Sequence, residues 1–179
     1  MMFTTSRLYL RRFRPGDWRD LAAYLCDEAV VQYEPYNVFT PKRCRSEAIN
    51  RMIDHAFIAV CLKQNDRLIG NIFLDEKSHC TFELGFIFAK AFWRHGYAFE
   101  SSSEIMRYCF EELGAHRMMA QCCTENLASQ KLLERLGMRK EAHHLHCASY
   151  KRDRLGNRIW WDLFEYAILF DEWEQKIRN

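Results

Sequence analysis

The spacing of hydrophobic and polar positions changes several times along the chain, and each change marks an element. Residues 7–13 alternate polar and apolar side chains through Arg7, Leu8, Tyr9, Leu10 and Arg11, the period-two pattern of a half-buried strand. Pro15-Gly16 turns the chain, and Asp17 is the expected N-cap of a helix running to about Cys26. Residues 27–41 hold Pro35, Asn37 and Pro41 among aromatic side chains and read as an irregular loop, followed by a second helix over about 42–55. Three apolar runs, 57–63, 68–75 and 80–88, are divided by the turn pair Asn65-Asp66 and by residues 76–79. They predict an antiparallel meander.

The period then shifts to that of a helix. After a short loop over 93–98, Ala98, Ser102, Ile105, Cys109 and Leu113 fall on one helical stripe, and Gly114 ends it. Residues 116–123 predict a strand. Residues 126–136 predict a helix closed by Gly137, with Lys131 and Arg135 in its last turns, where cations suit the helix dipole. Residues 138–150 and 158–170 predict two closing strands around a turn at 153–157. The order β-α-α-β-β-β-α-β-α-β-β implies an α/β (α+β) sandwich. Its sheet is mixed and mostly antiparallel, with about seven strands, about four flanking helices and one β-α-β crossover. No repeat or linker interrupts the pattern, so a single domain over 1–179 is expected.

Composition narrows the picture. A chain of 179 residues, 49% hydrophobic with 13 Phe, 8 Tyr and 5 Trp, can build a core unaided and is no disordered tail. With 26 Lys+Arg against 24 Asp+Glu, the net charge of +2 lacks the basic excess of a dedicated nucleic-acid binder. No apolar run reaches 18 residues, so no membrane span is expected. The eight cysteines contain no Cys-x-x-Cys, and several, such as Cys61 and Cys109, sit inside apolar patterns. Free buried thiols and a cytoplasmic location are expected.

Glycine is scarce, at seven residues, so each marks a backbone need. Gly85 lies inside the strand 83–88, where glycine marks a bulge or a close approach of another backbone. That strand leads into Arg94-His95-Gly96-Tyr97-Ala98 at a helix start. Helix N-termini leave amides unpaired and bind anions, and Gly96 lets a phosphate come close, although a simple turn reads the same way. The segment is neither a P-loop nor a dinucleotide fingerprint. In His143-His144-Leu145-His146-Cys147, alternation puts His144 and His146 on one face and His143 and Cys147 on the other. One face supplies only two ligands, so no metal is expected.

The next helix, with Asn126, Ser129 and Leu136-Gly137-Met138, makes the arrangement specific. Taken with the strand, the loop and the first helix, it resembles the Gcn5-related N-acetyltransferase (GNAT) superfamily. Thr5-Ser6-Arg7-Leu8-Tyr9-Leu10-Arg11 and Trp161-Asp162, Tyr166 and Asp171-Glu172-Trp173 extend the likeness over nearly the whole chain. They are similar to the RimJ/RimL-like ribosomal-protein N-acetyltransferase branch.

The resemblance implies acetyl-CoA as cosubstrate, without a metal. Phe86, Ile87 and Phe88, the loop Trp93, Arg94, His95, Gly96, Tyr97 and Ala98, and Asn126 and Ser129 would hold it. Asn126 reads equally as a helix N-cap. A backbone amide near Phe86 or Ile87 would polarise the thioester carbonyl. Glu83 is the implied general base, its alternative being a plain strand-end carboxylate. Two positions depart from the family pattern. Trp93 stands where Gln or Arg is usual, and Leu133 stands where many relatives carry a tyrosine acid, which leaves Ser129 or water to protonate the thiolate. Glu34 and Tyr36 would wall the acceptor pocket, with Asp54 as a further carboxylate. Direct transfer needs no acyl-cysteine, so Cys122-Cys123 has no required role.

The implied activity is acetyl-CoA-dependent acetylation of a primary amine, either a peptide N-terminus or a small molecule, by a monomer or homodimer. The alternative is a non-catalytic acyl-CoA-binding sensor or accessory module of the same fold.

Overall fold

The computed structural model describes residues 3–178; Met1, Met2 and Asn179, the ends of the domain expected over 1–179, lie outside the described residues. The chain opens with β1 (Phe3–Thr4) and β2 (Leu8–Arg11), then α1 (Trp18–Leu25), α2 (Glu28–Val31) and α3 (Pro41–Ile53). The meander β3 (Phe57–Leu62), β4 (Leu68–Glu76) and β5 (Thr81–Phe88) follows as expected. The second half comprises α4 (Tyr97–Glu111), β6 (Arg117–Cys123), α5 (Leu127–Leu136), β7 (Arg139–Arg152), β8 (Arg158–Leu169) and α6 (Phe170–Arg178). All strands join one sheet in the order β1-β2-β3-β4-β5-β6-β8-β7.

Side-chain alternation builds a core on each face of this sheet. Leu8, Leu10, Ile58, Val60, Ile72 and Leu84 pack with Ile105, Met106 and Cys109 of α4 and Leu133 of α5. On the other face Ala59, Cys61, Leu68 and Ile87 pack with Leu21, Tyr24 and Leu25 of α1 and Cys44 and Ala48 of α3. Each fully buried Leu or Ile contributes about 1.5–3 kcal/mol, so two sandwiched cores outweigh any surface pairing in holding the layers. The helical stripe holds through Cys109; Leu113 lies beyond the end of α4 and is exposed.

Several expectations are corrected. The described residues hold eight strands and six α-helices rather than about seven and four. The expected loop over 27–41 contains α2, started by Asp27, whose carboxylate accepts from Ala29 N. The last strand ends at Leu169, not at 170, because α6 begins there. Asp171 and Glu172 sit in its first turn, where carboxylates suit the dipole, and Trp173 packs on Phe110. Asp17 does not cap α1 with its side chain, although it accepts from Arg14 N in the turn before that helix. It also accepts both Nη atoms of buried Arg11, at 2.8 and 2.9 Å. Gly85 sits in regular β5 register opposite Phe73, with no bulge; a Cβ there would come within 3.3 Å of Phe73 Cβ.

One pairing positions the site. β5 and β6 are the only parallel neighbours among the described strands, and they match at only three registers, Thr81↔Arg117, Phe82↔Met118 and Glu83↔Met119. Beyond Glu83 each strand follows its other partner, β5 along β4 to Phe88 and β6 along β8 to Cys123. The two strands therefore part, and the sheet opens between them. No helix of the described residues is long and apolar enough to cross a membrane.

Candidate active site

The opening between β5 and β6 is a cleft of about 310 Å³. Alternation gives it two ends. Leu84, Phe86, Ala120 and Cys122 face the α4–α5 side, where Asn126, Ser129 and Leu133 of α5 join them. Glu83, Gly85 and Ile87 face the α1–α3 side, where Asn71 and Phe73 of β4 and Tyr33, Glu34 and Tyr36 after α2 complete the wall. Tyr150 and Trp161 of the β7–β8 hairpin, edge to face with ring centroids 5.5 Å apart, also border it. The cleft thus runs through the sheet. Along β5 the odd residues, Ile87 among them, bond β4, as Ala89 N does to Ile69 O; beyond Glu83 the even residues have no strand partner, so the backbone groups of Phe86 are free for a ligand.

The Trp93–Ala98 segment and Phe88 do not line the cleft. They lie where β5 leads into α4, and they fix the helix start. Arg94 (φ 63°) and Gly96 (φ 81°) are both left-handed, and Gly96 is the N-cap position of α4. The first amide of the helix bonded within it is that of Glu100, to Gly96 O at 3.0 Å, so those of Tyr97, Ala98 and Phe99 point out of the helix end. Trp93 has a structural reason: its Nε1 donates to Phe88 O at 2.7 Å and binds the loop to the end of β5. His95 stacks on Tyr97, and the Arg7 guanidinium lies 4.4 Å from the Tyr97 ring centre. Arg7 Nη1 also donates to His95 O at 3.0 Å, so the N-terminal motif belongs to this loop.

Asn126 and Ser129 meet at the start of α5. Asn126 Oδ1 accepts from Ser129 N at 3.1 Å, so Asn126 is the N-cap, and its amide nitrogen is the part left for a ligand. Leu133 is buried against the cleft, so no hydroxyl stands there.

On the acceptor side, Glu83 Oε2 is 2.7 Å from Lys77 Nζ, which also reaches Asp75 at 2.7 Å. Glu34 is half-buried, and burial pushes its carboxyl up to about 7 despite Tyr36, Arg51 and Lys151 nearby. Asp54 is not part of the cleft; it ends α3, and its carboxylate accepts from Ala56 N. Behind the wall lies a polar cluster that the sequence reading missed. Arg51, 2% exposed, donates to Glu47 at 2.8 Å and to Asn71 Oδ1 at 2.7 Å, and the Tyr24 hydroxyl donates to the same Asn71 oxygen at 2.9 Å. The signal for it was Asn71, a polar residue inside the apolar run 68–74. Tyr150 and Trp161 were also missed, because the long hairpin reaches the cleft only through tertiary packing.

Cys122 and Cys123 both line the cleft and are both buried, and burial pushes the Cys122 thiol up to about 11. A thiol so protonated is a poor nucleophile. The histidine alternation is corrected. The β7–β8 register shifts between His144 and Ala148, with His146 at φ 44°. His143 and His146 therefore both approach Asp162, at 3.5 and 3.9 Å, while His144 approaches Glu165. No group of three metal-ligating side chains occurs among the described residues.

Comparison with known proteins agrees with this geometry. Residues 7–139 match the family model described as an acetyltransferase (GNAT) domain. The chain is 35% identical over 175 residues to the uncharacterized N-acetyltransferase YnaD of Bacillus subtilis, covering 97% of this chain and 99% of that one. A crystal structure of a GNAT-family acetyltransferase from Bacillus anthracis is similar with a TM-score of 0.87 and 32% identity, covering 96% of this chain and 99% of the other. The fold is also that of a ribosomal-protein-S5-alanine acetyltransferase from Vibrio fischeri, with a TM-score of 0.77 at 19% identity and coverage of 97% and 98%. The parted parallel strands, the left-handed glycine at the head of α4 and these likenesses converge: the chain belongs to the GNAT family of acetyltransferases and is an acetyl-transferring enzyme.

Proposed function

We propose that the protein transfers an acetyl group from acetyl-CoA directly to a primary amine, a peptide N-terminus or a small-molecule amine. One observation carries this reading. The cleft between β5 and β6 passes through the sheet, so a thioester entering from the α4–α5 side and an amine entering beside Glu34 and Glu83 meet at one place. Bringing the two reactants together is itself a large part of such catalysis.

The residues fit acetyl-CoA. The outward amides of Tyr97, Ala98 and Phe99, with Gly96 adding no side chain, suit a pyrophosphate, and Arg94 and His95 add donors. Phe86 offers unpaired strand backbone to the pantetheine amides, and Asn126 lines the same cleft. When bound, acetyl-CoA supplies an activated acyl group whose thiol, with a pKa of about 8.5, leaves readily. The chain supplies the rest. The Phe86 amide, which points away from β4, orients the carbonyl. A carboxylate of the acceptor side, where Glu83 and Glu34 both stand, takes the proton of the ammonium ion. Ser129 or water returns a proton to sulfur, because Leu133 has none to give.

Thermal unfolding with added CoA tests the reading. Binding to the folded state alone raises stability by about 2.7 kcal/mol at a hundredfold excess over Kd. No rise in Tm with CoA or acetyl-CoA contradicts it.

A further inference from the structure

We propose that Glu34 is the catalytic carboxyl that takes the proton from the acceptor ammonium ion, with Tyr36 and Arg51 as its positioning residues. This assignment rests on the amine-acetylating reading above and chooses between the two carboxylates of the cleft.

Glu34 lies on a loop, yet the loop is pinned at both ends. Lys151 Nζ, reaching over from β7, donates to Val31 O and Gln32 O, both at 2.7 Å. At the far end Phe39 is buried and its amide donates to Leu25 O at 2.9 Å, while the Tyr36 ring meets Phe39 edge to face at 5.2 Å. Between these anchors the Glu34 amide donates to Val31 O at 3.1 Å. Glu34 is thereby kept in the lining of the cleft, which it shares with Gly85 and Ile87.

Arg51 stands behind it. A guanidinium has five donors in a fixed fork. Nε goes to Glu47 and Nη1 to Asn71, and the Phe57 ring lies 4.5 Å from Cζ. The Tyr36 hydroxyl interacts with both Arg51 and the Glu34 carboxyl. A buried cation, a hydroxyl and a carboxyl therefore form a row that ends at the cleft. Glu83 is placed differently: Lys77 already bonds it at 2.7 Å, so an incoming ammonium ion must compete with a resident one.

Proton affinity favours the same choice. An alkyl ammonium ion has a pKa of about 10.4, so its proton has about six pKa units to climb to an ordinary carboxylate. Toward Glu34, which burial raises to about 7, it has only about three. The charged and titratable groups facing Glu34 are Tyr36 on its own loop, Arg51 of α3, Lys151 of β7 and, across the cleft, Glu83 of β5 and Tyr150 of β7.

The step balances. One N–H bond breaks, its proton passes to Glu34 and nitrogen keeps the electron pair. That pair forms the C–N bond to the acyl carbon, and the C–S bond breaks with its pair going to sulfur. A second N–H proton reaches sulfur through Ser129 or water, and Glu34 releases its proton to solvent.

Carbon-13 NMR of the full chain, labelled at the glutamate carboxyl carbons and saturated with CoA, tests the assignment without a known acceptor. The resonance lost in Glu34→Gln is expected to titrate near 7 and to move up in Tyr36→Phe, which removes a donor to the charged form. Added n-butylammonium chloride is expected to lower that midpoint by one pH unit or more, and n-butanol is not. A Glu34 midpoint in the ordinary carboxylate range overturns the proposal, and so does butylammonium moving the Glu83 resonance while leaving that of Glu34 in place. Failure of CoA to raise Tm, measured on the same samples, instead removes the acetyl-CoA reading, so the two failures are distinct.

Discussion

Arg7 and Glu100 join the first strand pair to the helix that heads the candidate cofactor site: Arg7 Nε donates to Glu100 Oε2 at 2.7 Å and Arg7 N donates to Glu100 Oε1 at 2.9 Å. Thr5 and Ser6 hydroxyls donate to the same carboxylate. Burial pushes this carboxyl up, but the Thr5 and Arg7 donors outweigh it and hold it below the usual carboxylate range. Glu100→Gln is expected to cost about 1.5–3 kcal/mol, the range for hydrogen bonds to a charged group. A depressed folded pKa gives stability that is present above the unfolded value and lost as pH falls through the folded one. The difference between wild type and variant should be full at pH 7 and shrink below about pH 4.3, read by urea unfolding at both pH values.

Gly96→Glu should abolish the CoA-dependent rise in Tm. The left-handed φ of 81° costs a non-glycine residue about 1–2 kcal/mol, and the new carboxylate repels phosphate at the amides of α4. Gly156→Glu is the control. Its φ is 85° with nothing within 4 Å of an added Cβ, at the tip of the β7–β8 hairpin. It should lose similar stability and keep the CoA response, as differential scanning fluorimetry would show.

Much of this was legible from side-chain period alone. The strands 57–62, 68–76 and 81–88 and the stripe Ile105, Cys109 of α4 follow directly from alternation and helical spacing. What was not legible depends on distant partners. α2 is a single turn inside a Pro- and aromatic-rich stretch, and α6 starts at Phe170 directly after Leu169 of β8, with no turn residue between them. The parting of β5 and β6 is a matter of which neighbour each strand keeps, so no local pattern shows it. Gly85 reads as a bulge locally, but its reason is the Phe73 side chain across the strand pair. The row Arg51, Tyr36, Glu34 joins α3 to a loop, and only Asn71, polar among apolar neighbours, hinted at it.

Glu34→Gln should stabilise the protein at pH 8. The carboxyl titrates at about 7 in the folded chain and near 4.3 when unfolded. The folded state therefore binds more protons between those values, and stability falls as pH rises through that window. The variant lacks this loss. Its advantage should be near zero at pH 4 and grow to a few kcal/mol at pH 8, by Tm across the range. An advantage that does not change with pH would contradict the burial of this carboxyl.

Arg51→Met should destabilise by about 3 kcal/mol or more, because it strips a buried cation from Glu47 and Asn71. Arg51→Lys should recover only part, since an ammonium cannot span Glu47, Asn71 and Tyr36 at once. Chemical denaturation of the two variants, compared with Glu47→Gln, measures how much of the loss is the ion pair.

The central claim is acetyl transfer from acetyl-CoA to an amine, and amine-dependent release of free CoA thiol tests it most directly. The assay is run with acetyl-CoA against a panel of N-terminal peptides, polyamines and other primary amines. The account predicts release with at least one of them, lost in Gly96→Glu. CoA binding without release for any amine would contradict it and leave a non-catalytic acyl-CoA sensor.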